Sequence, residues 1–121
     1  MRPIKIFSAI CLVMMTSIFI YSCSKSDTSS SLVSTPAAQN VAIQSMAFQP
    51  ASVTVIPGTK IVWTNMDAVA HTVTSDDGSS FNSGTIDPGG TYTFTATALG
   101  SYPYHCSIHP TMTGTVQVVT K

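Results

Sequence analysis

The chain predicts an all-β fold, an antiparallel sandwich or barrel of about seven or eight strands, and three observations carry that prediction. Beyond about position 41 apolar residues alternate with polar ones and do not recur at helical spacing. The alternating runs are short and rich in Val, Ile, Thr and aromatic residues. Turn signals such as Pro57-Gly58, Asp76-Asp77-Gly78, Asp87-Pro88-Gly89-Gly90 and Leu99-Gly100 separate them.

The elements follow in order. Met1-Arg2-Pro3-Ile4-Lys5 is a cationic start, and Ile6 to Tyr21 is an uncharged apolar stretch, so residues 1–22 read as a bacterial export signal. The stretch is short for a transmembrane span. It closes on Ile20-Tyr21-Ser22-Cys23, which resembles the lipobox of bacterial lipoproteins, so Cys23 is expected as an acylated first residue of the mature chain, with an ordinary cleaved signal or an uncleaved anchor as the alternative because Tyr21 is bulkier than usual there. From Ser24 to about Asn40 the chain is mostly Ser, Thr, Ala, Pro and Gln, the composition of a flexible tether. About sixteen such residues give a root-mean-square reach of roughly 20 Å. Residues 23–40 are thus expected to hold a folded unit, 41–121, at an extracytoplasmic membrane surface.

Within that unit strands are expected at Val41 to Ala47, Val53 to Ile56, Lys60 to Asn65, His71 to Thr74, Thr91 to Thr97, Ser101 to Cys106 and Thr113 to Val119. The clearest is the fifth, with Tyr92, Phe94 and Ala96 on one face and four threonines on the other. Trp63 is assigned to the core. In Ser101 to Cys106 the inward set is Tyr102, Tyr104 and Cys106, so His105 faces the other way. His71 shares its face with Val73. Two strands therefore deliver His71 and Cys106 to one end of the interior.

Charge and cysteine usage narrow the function. Without residues 1–22 the chain carries Lys25, Lys60 and Lys121 against five aspartates, a net charge of −2, and no cluster of cations that would hold a phosphate backbone. Nucleic acid is excluded, and the chain is expected to act as a monomer. If Cys11 leaves with the signal and Cys23 carries lipid, Cys106 is the one free thiol and has no disulfide partner. In an oxidising compartment a lone thiol is vulnerable unless something occupies it.

Metal ligation is the natural occupant. Cys106, His109 and Met112 stand at regular three-residue steps, and with His71 they make a thiolate, two imidazoles and a thioether. That is the donor combination of a mononuclear blue-copper electron-transfer centre. An extended chain would carry His109 about 10 Å past Cys106, so the segment must turn, and Pro110 helps to end any strand. Gly114 is expected to permit a tight return into the last strand. Zinc is disfavoured, since a structural zinc site takes a fourth strong ligand and Met is a poor one. Taken singly, Cys106 reads as a small buried hydrophobe, Met112 as a gap filler and His71 as a core histidine; their joint spacing reverses those readings. His105 is assigned no ligand role.

The stretch Tyr102 to Val119 resembles the ligand loop of cupredoxins, with the Cys-x2-His-x2-Met spacing of the amicyanin type. Phe48-x-Pro50, Val55-Ile56-Pro57-Gly58, Val62-Trp63-Thr64-Asn65, His71-Thr72-Val73 and Asp87-Pro88-Gly89 resemble plastocyanin-type members of that family, so the likeness spans roughly Val41 to Lys121. The resemblance implies a Greek-key β-sandwich with one copper at one end, bound by His71, Cys106, His109 and Met112, cycling between Cu(II) and Cu(I), with the edge of His109 near the surface. It also implies a bracing role for the residue after the first ligand histidine, commonly Asn and here Thr72.

A single-electron carrier of the bacterial cell envelope is the expected function. The alternative is periplasmic copper storage or delivery, but such proteins bind Cu(I) through Met-rich or multi-thiol surfaces, and the mature domain has only Met46, Met66, Met112 and one Cys. A thiol enzyme is disfavoured because no carboxylate stands ready in sequence to orient a base beside Cys106. The redox partners are not identified by the sequence; an apolar docking surface around His109, including Ile108 and Pro110, is the expectation from near-neutral charge.

Overall fold

The structure, a computed structural model, describes residues 36–121. The expected export signal, Cys23 and the tether up to residue 35 lie outside them. Eight strands form: β1 (Gln39–Gln44), β2 (Ala47–Gln49), β3 (Ser52–Val55), β4 (Lys60–Asn65), β5 (Thr74–Ser75), β6 (Thr91–Thr95), β7 (Gly100–His105) and β8 (Thr113–Val118). They make two four-stranded sheets in the orders β2-β1-β4-β6 and β3-β8-β7-β5. The all-β sandwich read from alternation is the fold observed, and among the described residues there is no helix.

Pairing direction departs from the expectation. The sheets are mixed, with β1 parallel to β4 and β3 parallel to β8. Alternation reports which side chains face inward, and that pattern is the same beside a parallel or an antiparallel neighbour. Strand boundaries also differ: β1 starts at Gln39, inside the expected tether, because Gln39 and Asn40 already pair with Ile61 and Val62 of β4, and two further differences bear on the site. The run from Val41 to Ala47 is broken at Ser45 and Met46, whose φ angles of 55° and 58° close a two-residue turn between β1 and β2. Such turns usually announce themselves by Asn-Gly or Asp-Gly; here the turn is held from outside, because both backbone N–H groups donate to the Asp67 carboxylate, at 2.7 and 3.0 Å.

The second difference concerns His71 to Thr74, where only Thr74 continues into a strand and His71 makes an isolated bridge to Ile86. The intervening donors go to side chains in place of a ladder. Thr72 N–H points at Cys106 Sγ and Val73 N–H at Ser83 Oγ, at 3.3 and 2.8 Å. The chain is thus bent out of the sheet to meet the ligand loop.

The core lies between the sheets and runs into the site. Trp63 is fully buried, packs edge-on to Tyr104 with ring centroids 5.5 Å apart, and donates its indole N–H to the Tyr104 hydroxyl at 3.1 Å. Burial pushes the Tyr104 phenol up to about 12. Gly114 stands across from Tyr104 in the β7–β8 register. A Cβ there would overlap the tyrosine ring, so Gly114 provides room for an aromatic inside a strand, and the tight return expected of it is not its role. Tyr104 in turn fixes β7 two residues before Cys106.

Candidate metal centre

Strand β7 ends at His105, and the chain then folds back on itself before β8. Met112 N–H donates to the His109 carbonyl at 2.9 Å and Cys106 N–H to the Met112 carbonyl at 3.0 Å, so the loop is closed by its own backbone. This is the turn that three-residue ligand spacing requires. His71 arrives from the loop after β4. That loop is organised by Asn65, fully buried, whose Nδ2 donates to the Val69 and Ile86 carbonyls and whose Oδ1 accepts the Asp67 N–H. Backbone bonds between His71 and Ile86 in both directions, at 3.1 and 2.8 Å, then fix the ligand's own residue.

Three donor atoms converge. Cys106 Sγ lies 3.8 Å from His71 Nδ1 and 3.8 Å from His109 Nδ1, and the two nitrogens are 3.2 Å apart. A point equidistant from all three therefore sits about 2.1 Å from each, the length of a metal–nitrogen bond and slightly short of a metal–sulfur bond. Cys106 and His71 have no exposed surface, Met112 is 3% exposed, and His109 is half-buried. The Met112 backbone is bonded to both loop ligands, which places the fourth expected residue in the same buried turn. A trigonal thiolate–imidazole–imidazole set with a buried methionine in the same turn fits copper.

The surroundings hold this triangle rigid. Thr72 donates its N–H to Cys106 Sγ, while its hydroxyl accepts the Ser107 N–H at 2.7 Å and bonds Thr74 Oγ1 at 3.2 Å. Ser107 Oγ donates to Thr74 Oγ1 at 3.0 Å, so three hydroxyl residues tie the ligand loop to the His71 segment. Thr72 thus links the His71 segment to the chain just after Cys106. His105 is outside the donor triangle and pairs with Asp76 through Nδ1 at 2.6 Å.

Sequence reasoning missed two residues. Asp67 Oδ2 lies 2.9 Å from His71 Nε2, on the far side of the ring from the donor triangle. Hydrogen bonds from the Met46 and Ser45 backbone and from His71 hold its carboxyl below the usual carboxylate range, against a smaller desolvation effect. A carboxylate four residues before a candidate ligand histidine was the available signal. Asn65 stands in sequence only as the end of the Val62-Trp63-Thr64-Asn65 motif, and its part in the loop shows only with its partners Val69, Ile86 and Asp67.

A buried His2Cys triangle at one end of a β-sandwich defines a small mononuclear copper protein. The chain belongs to the copper binding proteins of the plastocyanin/azurin family, whose model matches residues 36–119. It is 34% identical over 82 residues to amicyanin-alpha of Methylorubrum extorquens, covering 64% of this chain and 69% of that protein. Among solved structures, the Cu(I) form of a mutant amicyanin superposes with a TM-score of 0.64 at 29% identity, covering 68% of this chain and 82% of that one. A purple cupredoxin from Nitrosopumilus maritimus superposes with a TM-score of 0.61 at 28% identity, covering 67% of this chain and 99% of that one. The expected cupredoxin resemblance therefore holds over the folded unit, and its cofactor is a single copper.

Proposed function

We propose that this chain is a one-electron carrier whose copper is held by His71 Nδ1, Cys106 Sγ and His109 Nδ1, with Met112 as the weak axial donor. The observation that carries it is the donor triangle of 3.8, 3.8 and 3.2 Å in a buried, braced loop. Copper, when bound, supplies the Cu(II)/Cu(I) couple. The chain's own residues do the rest. Cys106 and His71 exclude water from two of the three donors, and the Thr72 and Met112 bonds keep the loop from rearranging when the charge of the site changes. Cys106 has no exposed surface, which removes the accessible thiol that a nucleophilic enzyme needs.

His109 is the donor nearest solvent, so an electron partner would approach there. Its sequence neighbour Ile108 is 47% exposed, and the loop that carries His71 exposes Met66 at 61% and Val69 at 47%, apolar side chains suited to brief docking without strong charge steering. The Ile20-Tyr21-Ser22-Cys23 sequence supports acylation at Cys23 and a place in the bacterial cell envelope, with the Ser/Thr-rich residues between Cys23 and β1 as the tether. Metabolic labelling with a fatty acid tests that anchor, and labelling that survives Cys23→Ala would exclude it.

Voltammetry of the copper-loaded full chain tests the carrier function. A reversible one-electron wave with copper retained through many cycles is expected. Rapid surrender of copper to a chelator, with no reversible wave, would replace electron transfer by storage or delivery.

A further inference from the structure

We infer that Asp67 is a positioning residue that locks the orientation and tautomer of His71 and biases the copper site toward Cu(II). An ionised carboxylate can only accept hydrogen bonds, so the His71 nitrogen it faces at 2.9 Å, Nε2, carries the proton and donates. That leaves the Nδ1 lone pair directed at Cys106 Sγ and His109 Nδ1, where the metal belongs. A carboxylate behind a ligating imidazole also makes the ring a stronger donor, and its negative charge favours the more highly charged metal state.

Three features make this more than a surface ion pair. His71 is fully buried and the Asp67 side chain is only 15% exposed, so solvent competes little for the bond. Each carboxylate oxygen has a fixed duty: Oδ1 accepts the Ser45 N–H at 2.7 Å, and Oδ2 accepts the Met46 N–H at 3.0 Å as well as His71 Nε2. The Asp67 N–H is itself held by Asn65 Oδ1 at 3.0 Å. Asp67 therefore joins the β1–β2 turn, the end of β4 and the first copper ligand in one unit. An amide cannot replace it, because its NH2 group would oppose donors that the second oxygen now satisfies.

This inference rests on the copper assignment of His71, and two measurements separate their failures. In the metal-free full chain, nitrogen-15 NMR should show His71 as the Nε2-protonated tautomer with a slowly exchanging proton; an Nδ1-protonated His71 would overturn the inference whether or not copper binds. In the copper-loaded chain, Asp67→Asn should shift the ratio of Cu(I) to Cu(II) affinity about tenfold toward Cu(I), a rise in midpoint potential of about 59 mV for one electron. Asp67→Glu, which keeps the charge, should recover most of that rise. A role confined to holding the β1–β2 turn would lower the melting temperature of Asp67→Asn and leave its potential unchanged, and that result would refute the proposal. Absence of a visible copper band in the unsubstituted chain would instead refute the copper assignment.

Discussion

Replacing Thr72 by Val tests whether the ligand loop is braced by one hydroxyl. The substitution keeps the β-branched shape and the Thr72 backbone N–H that points at Cys106 Sγ, and removes only the oxygen that accepts Ser107 N–H at 2.7 Å and bonds Thr74 Oγ1 at 3.2 Å. Thr72 is 7% exposed, so water cannot easily take the lost acceptor's place on that side. An orphaned donor of this kind costs about 1–3 kcal/mol. Ser107 itself is exposed and can turn partly to solvent, which puts the expected loss at about 1–2 kcal/mol. For a folded unit of this size that corresponds to a fall of roughly 5–10 °C in melting temperature. Thermal unfolding of the metal-free and copper-loaded chains, with amide exchange at Ser107, provides the assay. Exchange at Ser107 should accelerate while the visible copper–thiolate band persists. An unchanged melting temperature together with unchanged Ser107 exchange would show that the loop does not depend on Thr72.

Two further predictions follow from the site and the surface. Met112→Leu should keep a coloured copper site and raise its potential, because an axial donor is lost while the His2Cys triangle remains; voltammetry showing a lower potential would contradict the axial role. Acid should destabilise the metal-free fold through Asp77, whose carboxyl is held far below the usual range by the Ser80 hydroxyl, the Ser79 and Ser80 backbone N–H groups and the Ser75 hydroxyl. Its folded-state pKa lies below the unfolded value of about 3.9, so the unfolded chain binds more protons in that window. The stabilisation is complete above about pH 4 and withdrawn as pH falls further. Asp77→Asn should flatten this acid limb of a stability–pH curve, and an identical limb in the variant would count against it.

Much of the fold was legible because alternation and burial are the same quantity seen twice. Tyr104 and Cys106 are buried while His105 is turned outward to Asp76, as their sequence parity required. Trp63 likewise fills the centre. What parity does not encode is partner direction, so an antiparallel sandwich is the expectation from alternation while β1–β4 and β3–β8 pair in parallel. The donor spacing of Cys106, His109 and Met112 made the loop readable as a candidate metal site, since few other purposes bring those residue types together. The support behind them was harder to see. Asp67 and Asn65 act through backbone groups of Ser45, Met46, Val69 and Ile86, partners whose proximity exists only after the sheets have formed. Gly114 shows the same limit: its purpose is the Tyr104 ring on the neighbouring strand, and nothing local to β8 announces it.

The central claim is that Cys106 thiolate and two histidines bind one copper ion in the buried triangle. Its most direct test is the visible spectrum of the copper-loaded full chain beside that of Cys106→Ser. An intense copper–thiolate charge-transfer band from one copper per chain, absent in the serine variant, is the predicted result. A colourless copper-loaded chain, or an intense band that survives in Cys106→Ser, would contradict it.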